Sequence, residues 1–202
     1  MKRFIINAIF LGLSSCCFGQ FDFLFSRKSL SDLRRHEDSI KSKPIGFIQT
    51  FVAEGYFPGA KEKKSYYPLN FIRTNDPFYP ALHIQYFYNE QDSSLLSASY
   101  DWNIMDYVKN IKTDGYKFDI EAKRENEYLS KYASIKAELI KKFGNPNSVQ
   151  EDKTDAGFFY KLGWDHAGVN ILVLLKFSTQ VKHLPGGMKI GSYAIRVKVD
   201  YK

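Results

Sequence analysis

The stretch from Asn126 to Phe177, NEYLSKYASIKAELIKKFGNPNSVQEDKTDAGFFYKLGWDHAGVNILVLLKF, reads as helix, stop, strand, turn, strand. Tyr128, Tyr132, Ile135, Leu139 and Phe143 recur at steps of four, three, four and four, which puts them on one helical stripe widened by Leu129 and Ile140. Glu127 with Lys131, and Glu138 with Lys142, stand one turn apart with the carboxylate first, the order that supports a helix. Gly144 supplies the left-handed cap and Pro146 prevents resumption, so the helix ends at Phe143-Gly144-Asn145-Pro146. A polar loop follows, then two strand-like runs, 157–164 and 169–177, joined by Asp165-His166-Ala167-Gly168. This unit is architecture and carries no recognisable chemistry.

Outward from it, residues 29–40 read as a short amphipathic helix with Leu30, Leu33, Glu37 and Ile40 at helical steps and Ser31 as N-cap. Residues 45–53 read as a strand after Pro44, and another strand is expected near 67–73. The section 54–80 holds Tyr56-Phe57-Pro58, Tyr66-Tyr67-Pro68 and Phe78-Tyr79-Pro80. Proline keeps these triplets in loops or at sheet edges. Residues 81–89 and 95–104 make the clearest hairpin. On its second arm Leu96, Ala98, Tyr100, Trp102 and Ile104 alternate with Leu95, Ser97, Ser99, Asp101 and Asn103. Residues 116–122 alternate as a strand would, and equally extend the main helix backwards. At the end Tyr193, Ile195, Val197, Val199 and Tyr201 alternate with polar partners, a strand with one wet face in an antiparallel sheet.

The chain thus repeats one pattern of helix, proline and strands opened by Gly46-Phe47 and Gly157-Phe158. The expected fold is α+β: an antiparallel sheet with helices on one face, as tandem α-β-β-β modules over 20–110 and 111–202, or one continuous domain. Leu139 to Pro146, then Phe159, Tyr160 and Trp164, then Leu172, Leu174 and Phe177, resemble the helix, Gly-x-Pro, aromatic-strand order of the β-lactamase-inhibitor-like fold, including the SmpA/OmlA outer-membrane lipoproteins. That resemblance implies a small exported α+β protein and brings no functional residues.

Residues 1–19 read as a signal peptide. Lys2 and Arg3 precede a run, 4–13, that is apolar except for Asn7, and small residues follow. The run is too short to span a bilayer, which takes about 20 residues. Two cleavages compete. Leu13-Ser14-Ser15-Cys16 matches the lipobox that would leave Cys16 lipidated, whereas Cys17 and Gly19 suit an ordinary cut before Gln20. Phe21, Phe23, Leu24 and Phe25 look like residues that pack rather than tether, which favours the ordinary cut. Beyond the leader no cysteine remains for a disulfide. Loss of Lys2 and Arg3 takes the net charge from +7 to +5, and the remaining basic residues are scattered rather than striped, which argues against nucleic acid.

Catalytic signatures are missing. His36, His83, His166 and His183 have no metal-ligand spacing, and His36-Glu37 lacks the second histidine of a zinc-protease helix. No G-x-S-x-G or S-x-x-K occurs, and Gly186-Gly187 with Lys189 lacks phosphate-loop spacing. Asp101 with His83 on adjacent strands, and Asp165 with His166, are the best acid–base pairs. For binding, Tyr56, Phe57, Tyr66, Tyr67, Phe78 and Tyr79 offer an aromatic platform for peptide or glycan, against the plainer role of covering edges and filling the core. Trp102 and Trp164 read as core anchors. The expectation is an exported, periplasmic or secreted, non-enzymatic protein without cofactor or metal that binds an envelope protein, peptide or glycan. The alternatives are a hydrolase assembled only in the fold, an inhibitor of an extracellular enzyme with a sheet face rich in Tyr and Trp, and a lipid anchor at Cys16.

Overall fold

The computed structural model describes residues 21–46, 48–57, 64–74, 78, 80–103, 122–154, 157–183 and 189–202. The helices are α1 (Leu30–Ser39) and α2 (Ala122–Phe143). The strands are β1 (Lys43–Ile45), β2 (Thr50–Val52), β3 (Lys64–Tyr66), β4 (Leu69–Arg73), β5 (Leu82–Tyr88), β6 (Leu95–Asn103), β7 (Ser148–Thr154), β8 (Gly157–His166), β9 (Val169–His183) and β10 (Lys189–Tyr201). Eight of them form one antiparallel sheet in the order β1-β4-β5-β6-β10-β9-β8-β7, while β2 and β3 pair separately.

This corrects the expected helix-packed α+β fold of α-β-β-β modules. Two helices stand against ten strands among the described residues, and the protein is mostly β. Three readings account for the shift. The polar loop after α2 is a strand, β7, whose residues are all exposed, so no apolar alternation announced it. The run 45–53 is two short strands in different sheets rather than one. The last two strands, β9 and β10, run to 15 and 13 residues. The signal-peptide residues, and the strand-or-helix question over 116–121 together with the 110/111 boundary, lie outside the described residues. Strands from both proposed modules share the sheet through β6 and β10, whose register runs from Ala194↔Asn103 to Asp200↔Ser97.

The core lies between the sheet and the helices. Leu33 of α1 and Tyr128, Tyr132, Ile135 and Leu139 of α2 are buried against Ile84, Tyr86, Tyr100, Trp102, Trp164, Ile171, Val173, Ile195 and Val197. Ser29, not Ser31, caps α1: its hydroxyl accepts the amide N–H of Asp32. Gly144 sits at φ +80 with its N–H on Ile140 O, the left-handed stop that Pro146 reinforces. Trp164 donates its indole N–H to Gly144 O at 2.9 Å, which fastens that helix end to β8.

Ahead of α1, residues 21–28 form a strap across the core. Phe23 and Leu24 are buried, with Phe23 edge-on to Tyr100 at 4.9 Å. The strap's backbone is held at both ends of Leu24, whose N–H donates to Tyr100 Oη while its carbonyl accepts from Tyr201 Oη. These bonds make the segment part of the domain rather than a tether.

Candidate functional site

One sheet face is covered by α1, α2 and the strap; the other carries no helix among the described residues. Three of the aromatic residues expected to form a platform, Tyr56, Phe57 and Tyr66, gather over that face, packed on one another and on Phe87 rather than laid open, and the others lie elsewhere. Phe57 is buried with Val52 and Phe87, and Tyr56 and Tyr66 pack around them at the β2–β3 hairpin. Phe78 belongs to the helix side, edge-on to Tyr128 at 5.0 Å. Tyr67 is exposed, and Tyr79 and Cys16 lie outside the described residues. Trp102 and Trp164 are buried on the helix side, so the sheet's other face has neither.

The helix-free face is instead polar at its centre. His83↔Asp101↔Arg196 are register partners across β5, β6 and β10, followed outward by Leu174 on β9 and Lys161 on β8. The next row is Gln85, Ser99, Lys198, Leu172 and Gly163. Asp101 accepts from Ser99 Oγ at 2.7 Å and from Arg196 Nε. Burial works against the Arg196 cation, but Asp101's charge and hydrogen bond outweigh it and hold the guanidinium above its ordinary range. Lys198 pairs with Asp200 Oδ2 at 3.0 Å, donates to Tyr56 O and lies 4.2 Å from the centre of the Tyr56 ring. Burial lowers its pKa, with the Asp200 charge opposing. Burial also raises the Tyr56 phenol. The hairpin is thereby pinned over β5, β6 and the edge of β10.

Asp101 and His83 therefore do meet as cross-strand neighbours. Asp101, however, has one carboxylate oxygen on Ser99 Oγ and the other on Arg196 Nε, so both are already engaged by neighbours other than His83. Asp165 and His166 are exposed at the end of β8, where Asp165 pairs with Lys202 and His166 lies edge-on to Phe143.

A second charged cluster is sealed on the helix side. Arg73 donates Nη2 to Glu37 Oε1 at 2.6 Å and Nε to Oε2 at 3.1 Å, a two-pronged pair with both side chains buried. Ser42 and Tyr86 hydroxyls also donate to the carboxylate. Burial pushes Glu37 up, yet these donors and the Arg73 charge prevail and its pKa falls below the usual value. Burial drives the Tyr86 phenol far up. The cluster ties α1 to β4 and β5 and has the character of a structural lock. Sequence inspection missed it because Glu37 and Arg73 are 36 positions apart.

Among the described residues no group of three or more His, Cys, Asp or Glu side chains could hold a metal ion, and no helix is long and apolar enough to cross a membrane. An open depression over α1 is lined by Leu24, Lys28, Asp32, Arg35 and His36. Its only carboxylate, Asp32, is held below its usual range by the Ser29 hydroxyl and is paired with Arg35. Set against protein-family models, curated proteins and solved structures, the chain matches none of them.

Proposed function

We propose that the chain is an exported, non-enzymatic protein of the cell envelope that binds a partner across the helix-free face of β8, β9 and β10. One observation carries the reading. An antiparallel sheet with one solvated face should alternate apolar-in and polar-out. β9 keeps Ile171, Val173, Leu175 and Phe177 inside but also puts Leu172 and Leu174 on the water side. With Phe159 of β8 they are half-buried and belong to neither apolar cluster. Exposed Lys161 and Lys176 flank them as a polar rim. Apolar surface placed this way on a water-facing sheet marks a contact surface.

Export is supported by the leader-like residues 1–19 together with the strap. With Phe23 and Leu24 anchored in the core, Cys16 would have only a few residues to reach a bilayer, which favours a cut before Gln20. Partner classes are an envelope protein, a peptide or a glycan.

The test is in-cell photo-cross-linking with the reactive side chain at Leu174, and at Arg34 on the outer side of α1 as control. The expected result is a discrete adduct from position 174 only, lost when Leu172→Glu is added. Equal labelling from both positions overturns the reading. So does loss of cellular function in His83→Ala while circular dichroism stays unchanged, because that points to catalysis.

A further inference from the structure

The sheet has two edges, and they differ in kind. β1 is three residues long and contains Pro44, which has no N–H to offer, so it is a blunted edge. β7 is seven residues long, has no proline, and pairs with β8 in continuous register from Ser148↔Gly163 to Thr154↔Gly157. All seven residues are exposed, Val149 at 58%. Among the described residues β8 is its only strand partner. The strand is also firmly held at its start. Asn147 N–H donates to Gly163 O at 2.7 Å, and Asn147 Oδ1 accepts Asp165 N–H at 2.7 Å. Gly163 has no side chain, and a Cβ there would collide with Ser148 Oγ.

We propose that β7 is a strand-addition site for an extended, basic segment of a partner protein. Over residues 148–153 the outer edge has no strand partner among the described residues, and a peptide pairing with its N–H and C=O groups gains main-chain hydrogen bonds without reordering the protein. The side chains choose the sequence. Glu151 and Asp152 are consecutive and point to opposite faces of the sheet, so an antiparallel strand meets them with two consecutive basic residues, one on each face. Among the described residues the ion-pair contact of Glu151 is a long one, 3.9 Å to Lys136, and the side-chain hydrogen bond of Asp152 comes from Gln150 Nε2, so both carboxylates have capacity left. Val149 asks for an apolar neighbour and Lys153 for an acidic one. Read from its N-terminus, the favoured segment is acidic, basic, basic, any, apolar. A second copy of the chain fits less well: the self-pairing that uses all seven residues sets Glu151 opposite Glu151.

The experiment uses the folded chain and a fluorescent nine-residue peptide with Glu-Lys-Lys-Thr-Val at its centre between threonines. Fluorescence anisotropy should show saturable binding. It should fall roughly tenfold for the charge-swapped Lys-Glu-Glu-Thr-Val peptide, and again with E151K/D152K protein, where the swapped peptide should recover. Methylating alternate peptide amides should abolish binding, because it removes the main-chain bonds. Leu174→Glu should leave the affinity for this peptide unchanged, whatever it does to binding across β8, β9 and β10, since the edge of β7 is a separate site. Equal affinity for both charge patterns, or full binding by the methylated peptide, overturns the proposal. So does a concentration-dependent dimer in sedimentation that E151K/D152K abolishes, which would make the occupant a second copy.

Discussion

Glu37→Gln tests how the first half of the sheet holds its helix. The substitution keeps size and most hydrogen-bonding capacity but deletes the charge. Arg73 is then left with its side chain only 5% exposed and no counter-ion. Breaking a buried pair from one side costs about 3–5 kcal/mol, because the remaining charge stays desolvated. That is a large share of a stability that is typically about 5–15 kcal/mol. With a urea slope near 2 kcal/mol/M, the unfolding midpoint should drop by about 2 M. The double variant Glu37→Met/Arg73→Met removes both charges and fills the volume, so it should unfold later than Glu37→Gln alone. The pH dependence has a definite sign. Glu37's folded pKa is depressed, so its contribution is complete above the unfolded glutamate value, about 4.3, and is lost as pH falls through the folded pKa. The single variant should lose that part of the acid sensitivity. Urea titrations of both variants at neutral and acidic pH decide the matter. A Glu37→Gln midpoint equal to wild type, or a double variant weaker than the single one, refutes the lock.

Trp164→Ala should cost about 3–5 kcal/mol through a core cavity and the lost bond to Gly144 O, read by urea unfolding. Phe23→Ala should destabilise by a similar 3–5 kcal/mol, since its ring sits among Phe21, Phe25, Tyr100 and Trp102; an unchanged melting curve would mean the strap is not part of the folded core. Intact mass of the protein recovered from cells should correspond to a chain starting at Gln20, and a diacylated Cys16 would replace that reading with a membrane-anchored one.

Local signals were strong where a short stretch carries its own geometry. The α2 stripe, the stop at Gly144 and the alternation of β10 and of β6 from Ser97 onward are properties of neighbouring residues, and periodicity reports them directly, whereas Leu95 and Leu96 exchange faces beside the register shift at Phe87/Tyr88. It also placed Ser97, Ser99 and Asp101 on one side of their strand. What periodicity does not report is which strand lies alongside. Asp101 meets Arg196 because β6 and β10, 95 positions apart at that pair, are the strands that join the two halves of the sheet. Glu37 meets Arg73 only once α1 lies on β4. The aromatic triplets illustrate the same limit: Tyr56, Phe57 and Tyr66 gather at the small hairpin while Phe78 goes to α2, because burial sorts side chains by the surface their own segment reaches. β7 left no trace in the pattern, since an edge strand wet on both faces has no apolar period, and its strand state comes from the backbone bonds that β8 offers. The sequence by itself determined the helix, its stop and the alternating strands, because those depend on contacts a few residues apart. Only the tertiary structure decided the sheet order, the charged pairs and the open face, because each needs segments that the chain keeps far apart until it folds.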